Sequence, residues 1–407
     1  MLGAGGRVNC EPSFGDVDPI DVAVDLADLD DLLTRDETDI RDAVRAMARS
    51  RIAPYVADWF ERGAPDDPRG LVKELGDLGV LGMHLTGYGC AGLSATQYGL
   101  ACLELEAVDS GIRSLVSVQG SLAMYALWRF ATESVKQEWL PRMAAGDAIG
   151  CFGLTEPDHG SDPAGMATRA RRDGSDWVLD GRKMWITNGS IADVAVVWAN
   201  TEEGIRGFAV PTATPGFTTV EMKHKMSLRA SVTSELLLDA VRVPDECAFP
   251  EVRGLAGPLT CLTEARFGII WGSMGAARSC LATALRYALS REQFGRPIAG
   301  FQLTQQKLAD MELEYVKGVL LALHLARRKD SGVLRPVQVS LGKLNNVREA
   351  LEICRAARTI LGANGISLEY PVIRHMNNLE SVLTYEGTVE MHTLVIGKAM
   401  TGLDAFR

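Results

Sequence analysis

Apolar and polar positions divide the chain into three textures. From about residue 36 to 150, apolar residues recur at helical spacing, as in IRDAVRAMARSRIAPYVADWF and GLACLELEAV, and glycine-rich turns such as GYGCAG interrupt them. Between about 151 and 250 the pattern shortens to runs rich in β-branched and aromatic residues. VAVVWAN, GFAVP and SELLLDAVRVP follow one another with no helical pattern between them, which predicts an antiparallel barrel or sandwich rather than a parallel sheet. Asp180-Gly181, between WVL and KMWIT, predicts a hairpin turn. After residue 256 helical periodicity returns. Ala277, Leu281, Ala284 and Ala288 form one stripe, and Leu344, Val347, Leu351, Cys354 and Leu361 another, so long antiparallel helices are expected. The predicted class is α+β, in the order helical, β, helical, with substrate where the parts meet.

The 407 residues exceed what one hydrophobic core usually organises, which agrees with several packed parts. The expected boundaries are a leader over 1–30, an N-terminal helical domain over 31–150, a middle β domain over 151–255 and a C-terminal helical bundle over 256–407. A net charge of −10 argues against a broad basic face for nucleic acid. No apolar run reaches the ~20 residues that span a bilayer, and the first residues lack a basic segment followed by an apolar one, so a cytoplasmic protein is expected. The eight cysteines never form a CxxC pair, and the six histidines share no ligand spacing with them. No metal site is expected.

Three segments carry the candidate chemistry: CFGLTEPDHGSD at 151–162 with KMWITNG at 183–189, REQFGRPIAGFQLTQQKLADM at 291–311, and YEGTVEMHTLVIGKAMTG at 385–402. Alone, TEPDHGSD is an ordinary polar turn, and a tryptophan in a strand is more often core. Together, in this order and spacing, the segments resemble the acyl-CoA dehydrogenase family over nearly the whole chain from about residue 30. GYGCAG, LELEAVDSGIRSLVSVQGSL and CFGLTEPDHGSDP are most similar to its glutaryl-CoA-oxidising members. The resemblance implies an N-terminal helical domain, a middle antiparallel β domain, a C-terminal four-helix bundle, a homotetramer and FAD as cofactor. The leader and the VEM after Gly387-Thr388 depart from the family pattern.

By that resemblance Phe152, Leu154, Thr155, Gly160 and Ser161 line the flavin, and Trp185, Ile186 and Thr187 form its second contact. Arg291, Phe294 and Gln302 match the segment that holds the cofactor's tail, Arg291 offering a donor fork for pyrophosphate oxygens. Leu361, Gly362, Asn364 and Gly365 in LGANGI match a contact made from a neighbouring subunit. No strand precedes this LGANGI segment, and GANG is not a GxGxxG fingerprint, which disfavours a nicotinamide site.

Oxidation of a thioester at Cα–Cβ needs a base for the α-proton, and a carboxylate in a dry pocket can be tuned upward for that work. Glu386 matches the family position of that base, with Thr388 at a flavin contact and Gly387 between them. Arg266, in TEARFG, lies at a family position near base and substrate. Tyr385 beside the base agrees with decarboxylating members. Glutaryl-CoA ends in a carboxylate, so its pocket needs a cation at the far end. Arg113 matches the carboxylate-binding arginine, with Ser114 and Ser117 as supporting hydroxyls. Glu106 precedes Arg113 by about two helical turns, so both face one pocket if the helix survives Gly111. The function implied is oxidation and decarboxylation of glutaryl-CoA to crotonyl-CoA and carbon dioxide, with electrons passed to an electron-transferring flavoprotein. The alternatives are action on another short acyl-CoA or acyl-carrier-protein thioester, oxygen as acceptor, or a flavin-binding or purely structural helical protein whose catalysis has lapsed. Retention of Glu386 argues against the last.

Overall fold

In a computed structural model of the protein, residues 24–405 are described, so most of the expected leader lies outside the described residues. Its described end is not loose, because Val24 and Leu29 are both buried in the helical core. The first third holds α1 (Arg35–Met47), α2 (Val56–Arg62), α3 (Pro68–Asp77), α4 (Ala95–Val108), α5 (Ser110–Ser117), α6 (Tyr125–Phe130) and α7 (Glu133–Ala144). Capping boxes start α1 at Thr34/Glu37 and α4 at Ser94/Gln97, satisfying amides that the first helical turn leaves open. α4 has no polar face. Every residue from Ala95 to Glu106 except Gln97 is buried, as expected of a helix packed on all sides.

The middle third is one seven-stranded sheet with strands β1 (Gly150–Gly153), β2 (Arg169–Asp173), β3 (Asp176–Thr187), β4 (Val194–Thr201), β5 (Gly204–Pro211), β6 (Phe217–Glu221) and β7 (Thr233–Pro244). The order is β1-β4-β2-β3-β7-β6, with β5 on β4. Most pairs are antiparallel, but β1 runs parallel to β4, and β2 meets β4 in parallel at Arg169 and Asn200. Asp180-Gly181 is not a hairpin. β3 continues through it with a shift of register against β7 between Leu179 and Gly181, and the true β2–β3 turn lies at Gly174-Ser175. The reason is local: Gly181 has φ +151° and a Cβ there would fall 2.5 Å from Thr168 Oγ1, so the glycine makes room for a bulge.

The last third is built on α8 (Ala256–Ser290), α9 (Gln302–Asp330) and α10 (Pro336–Leu361), with α11 (Val372–Thr384) and α12 (Val389–Thr401) after them. Ala277, Leu281, Ala284 and Ala288 are buried as their spacing predicts. On α10 Val347, Leu351, Cys354 and Leu361 are buried as their spacing predicts, but Leu344 is half-buried and its neighbour Lys343 is buried instead.

The three parts meet at one carboxylate. Asp109 Oδ2 accepts from Arg374 Nη1 at 2.6 Å and Asn378 Nδ2 at 2.9 Å, and Asn378 Oδ1 accepts from the Leu228 amide at 2.7 Å. Asp109 also divides α4 from α5. Its extended backbone ends one helix, and its side chain accepts from the Gly111 amide to cap the next. Among the described residues, no helix is long and apolar enough to cross a membrane.

Candidate active site

The YEGT segment is the turn between α11 and α12. Tyr385 closes α11, Glu386 and Gly387 take φ +53° and +108°, and Thr388 Oγ1 accepts from the Met391 amide to start α12. A left-handed non-glycine residue costs about 1–2 kcal/mol, so the surroundings must impose this turn. Three consecutive carbonyls are held by cations. Arg266 Nε, from α8, donates to the Glu386 carbonyl; Lys343 Nζ, from α10, donates to those of Tyr385 and Gly387. His392 packs over the turn so tightly that a Cβ at Gly387 would lie 2.7 Å from its Nε2.

Glu386 Oε2 is buried with no hydrogen-bond partner. Burial pushes the Glu386 carboxyl above its usual range, while Arg113, Lys343 and Arg266 pull it back; the balance is upward. Such a carboxylate is poised to take a proton. Burial likewise pushes Lys343 down to about 7, Glu386 opposing and Arg266 and Arg113 reinforcing the shift. His392 is pushed down to about 3 by burial and by the two cations Lys343 and Arg266, so it is neutral at physiological pH.

The first third adds the group that reaches Tyr385. Arg113 on α5 is fully buried, and its Nε donates to Glu106 Oε2 on α4 at 2.6 Å. Its Nη2 donates to the Tyr385 hydroxyl, next to Glu386. Burial opposes the Arg113 charge, but Glu106 and Tyr385 more than offset it, and the guanidinium stays protonated. Two atoms of this pair are left over: Arg113 Nη1 and Glu106 Oε1 are buried without hydrogen-bond partners. Glu106 and Arg113 therefore meet as their spacing predicted, although across a helix break at Asp109 rather than on one helix. α8 gives them room at Gly272, where a Cβ would fall 2.1 Å from Glu106 Oε2. Ser114 and Ser117 are buried on α5. Lys343 and Gly272 escaped the sequence reading: a lysine in an apolar stripe reads as a solvated edge, and a helical glycine reads as a packing contact.

The two candidate flavin segments lie side by side, the Met184 amide donating to the Thr155 carbonyl at 2.9 Å. Behind them Lys183 Nζ donates to Glu156 Oε1 at 2.8 Å, and Glu156 also accepts from the Ala167 and Thr168 amides, which fixes the TEPDHGSD turn. Phe152, Leu154 and Ile186 are buried, Thr155 and Thr187 half-buried, and Gly160 and Ser161 exposed. Trp185 stands apart, 56% exposed, with φ +64° at a register shift between Lys183 and Ile186 that turns its indole out of the ladder. An exposed indole, the bare backbone of Gly160 and two threonine hydroxyls fit a planar ring with hydrogen-bonding edges. The residues present therefore suit FAD.

Arg291, Phe294 and Gln302 lie elsewhere, on an exposed two-stranded ribbon (Glu292–Gln293 with Arg296–Pro297) and the start of α9; Phe294 is 94% exposed. Leu361 is buried at the end of α10. Gly362 follows at φ +59°, Asn364 Nδ2 donates to the Tyr287 hydroxyl, and Gly365 is buried so close to Arg358 that a Cβ would lie 2.4 Å from its carbonyl.

Three family descriptions match consecutive stretches: acyl-CoA dehydrogenase N-terminal domain over residues 34–147, middle domain over 151–241 and C-terminal domain over 253–401. The chain belongs to the acyl-CoA dehydrogenase family. A crystal structure of glutaryl-CoA dehydrogenase from Mycobacterium smegmatis is 68% identical, with TM-score 0.92, covering 95% of this chain and 99% of its own. A glutaryl-CoA dehydrogenase from the same organism in complex with FADH2 is 63% identical, with TM-score 0.93, over 94% of this chain and 99% of its own. The short-chain specific acyl-CoA dehydrogenase of Megasphaera elsdenii is 34% identical over 379 residues, 90% of this chain and 98% of its own. The protein is thus an FAD-dependent acyl-CoA dehydrogenase most similar, among these, to glutaryl-CoA dehydrogenases.

Proposed function

We propose that the protein oxidises glutaryl-CoA at Cα–Cβ and decarboxylates the product to crotonyl-CoA and carbon dioxide. The observation that carries this reading is the unpartnered Nη1 of Arg113, a buried guanidinium that also touches the tyrosine next to Glu386. A terminal carboxylate brought to Nη1 gains a charge-assisted bond, while an apolar chain end leaves that donor unsatisfied. Glu386 removes the α-proton, its raised carboxyl making it a base able to hold that proton. FAD, when bound, supplies the acceptor for the β-hydride. Arg113 holds the distal carboxylate until its C–C bond breaks, when carbon dioxide leaves, the electron pair passes into the conjugated thioester, and the γ-carbon takes up the proton that Glu386 holds. Phe152, Leu154, Thr155, Gly160, Ser161, Trp185, Ile186, Thr187 and Thr388 would hold the flavin ring. Arg291, Phe294 and Gln302, with Leu361, Gly362, Asn364 and Gly365 of another subunit, would hold its tail in a homotetramer. Electrons then pass to an electron-transferring flavoprotein in the cytoplasm.

The second reading is a different short acyl thioester, and the internal pairing of Arg113 with Glu106 favours it, because that pair already neutralises the pocket's end. Incubation with glutaryl-CoA or butyryl-CoA and an artificial electron acceptor, with products identified by mass, separates the two. Crotonyl-CoA and carbon dioxide from glutaryl-CoA support the first; turnover of butyryl-CoA alone supports the second. Glu386→Gln keeps its FAD and loses turnover by roughly a hundredfold to ten-thousandfold, since an amide cannot accept the proton. Near-normal flavin reduction in that variant removes Glu386 from the role.

A further inference from the structure

Lys343 is 1% exposed, and its hydrogen bonds run to backbone carbonyls rather than to a carboxylate. Buried lysines are usually paired. This one spends its donors on backbone instead: Nζ donates to the Tyr385 carbonyl and, at 2.6 Å, to the Gly387 carbonyl, and it lies 5.8 Å from the centre of the Tyr385 ring. Those two carbonyls flank Glu386, whose own carbonyl takes Arg266 from the opposite helix. The backbone is therefore clamped on both sides of its left-handed residue, and a residue at φ +53° with its neighbours so fixed has little freedom to swing its carboxylate away.

We propose that Lys343 is a positioning residue for Glu386: its ammonium locks the turn that carries the carboxylate and sets a positive charge beside it. The inference rests on the reading of Glu386 as the base. The charged groups that face Glu386 are Arg113 from α5, Arg266 from α8 and Lys343 from α10. Glu106 from α4 faces Arg113 and Tyr385, and the imidazole of His392 from α12 is neutral. Three cations oppose burial at the carboxyl, so removal of one moves its titration in one direction only. The carboxyl becomes harder to ionise, and the pH below which the base is protonated rises.

The test follows flavin bleaching in single turnovers of the holoenzyme with glutaryl-CoA, and with butyryl-CoA in parallel, across pH for the parent protein, Lys343→Met, Lys343→Gln and Glu386→Gln. Lys343→Met removes both charge and donors. It slows reduction by roughly tenfold or more with little change in substrate affinity, and moves the acid limb up by about one pH unit. Lys343→Gln keeps a donor without the charge, so its acid limb moves similarly while its rate falls less. An acid limb that stays put in both lysine variants overturns the proposal. So does loss of flavin from both, which would make Lys343 a prop of the fold. Rapid reduction in Glu386→Gln defeats the reading of the base itself, whatever the lysine variants do.

Discussion

Glu104 and Glu106 are two residues apart on α4, equally buried, and each faces arginine, yet their surroundings differ in one respect. Glu104 is saturated. Arg45 donates to both of its oxygens at 3.0 Å, and Arg278 donates to the same two at 2.9 and 2.7 Å. Burial alone would raise the Glu104 carboxyl, but Arg278 and Arg45 overturn this and bring it down to about 2. Glu106 has one partner, Arg113, and one idle oxygen, and Arg113 has an idle nitrogen. An unsatisfied buried polar atom costs about 1–3 kcal/mol, a cost that a closed structural network avoids and a binding site can recover from its ligand. The saturated carboxylate fits a structural role, and the unsaturated one fits the recognition role proposed for Arg113.

The contrast breaks most easily at Glu104. Glu104→Leu removes the carboxylate that two arginines share and lowers stability by about 3–5 kcal/mol, read as a drop in Tm, while flavin reduction below the transition stays within about twofold. An unchanged Tm would show that α4 tolerates the loss and that saturation carries no weight. The same carboxylate sets a pH signature. Its folded-state value lies below the unfolded one, so its contribution, about 3 kcal/mol, is present above pH 4.5 and is lost as pH falls towards 2. Acid titrations of the parent protein and Glu104→Leu converge over that window.

A smaller effect is expected at Arg113. Arg113→Met lowers the ratio of kcat/KM for glutaryl-CoA over butyryl-CoA by at least about tenfold, one charge-assisted bond being worth about 1.5–3 kcal/mol. The ratio is the quantity to measure, because the substitution also strands Glu106 and depresses both rates. Equal losses on the two substrates assign Arg113 to the fold. The smallest change is Glu106→Gln, whose amide oxygen can still accept from Arg113 but no longer carries a competing charge, and it tightens glutaryl-CoA by a few fold without altering butyryl-CoA, on the order of 0.5–1 kcal/mol. Weaker binding of both substrates would instead make Glu106 the prop that aims Arg113.

The sequence revealed the long α8 stripe because Ala277, Leu281, Ala284 and Ala288 keep a single period and all four are buried. It revealed the Glu106–Arg113 encounter for the wrong reason: Asp109 breaks the helix, and the two residues meet because the cap turns α5 back. Asp180-Gly181 misled because a bulge and a two-residue turn ask the same backbone freedom of glycine, and only the pairing with β7 distinguishes them. Glu104 and Glu106 read alike in LELE because α4 is surrounded on all sides and leaves no polar face against which to sort them. Lys343 was illegible for a related reason. Its partners are backbone carbonyls some forty residues away, and a carbonyl has no letter in the sequence.

The junction at Asp109 bears on how the molecule comes apart. One side chain on the first helical third binds two from the last, and one of these binds the backbone of the β third, so none of the three can loosen without exposing a buried polar group of another. The junction therefore opposes separate melting of the parts, and one cooperative transition is expected despite the three textures. A single calorimetric transition, and proteolysis that yields the intact chain or small peptides with no stable third between them, are the marks of that coupling.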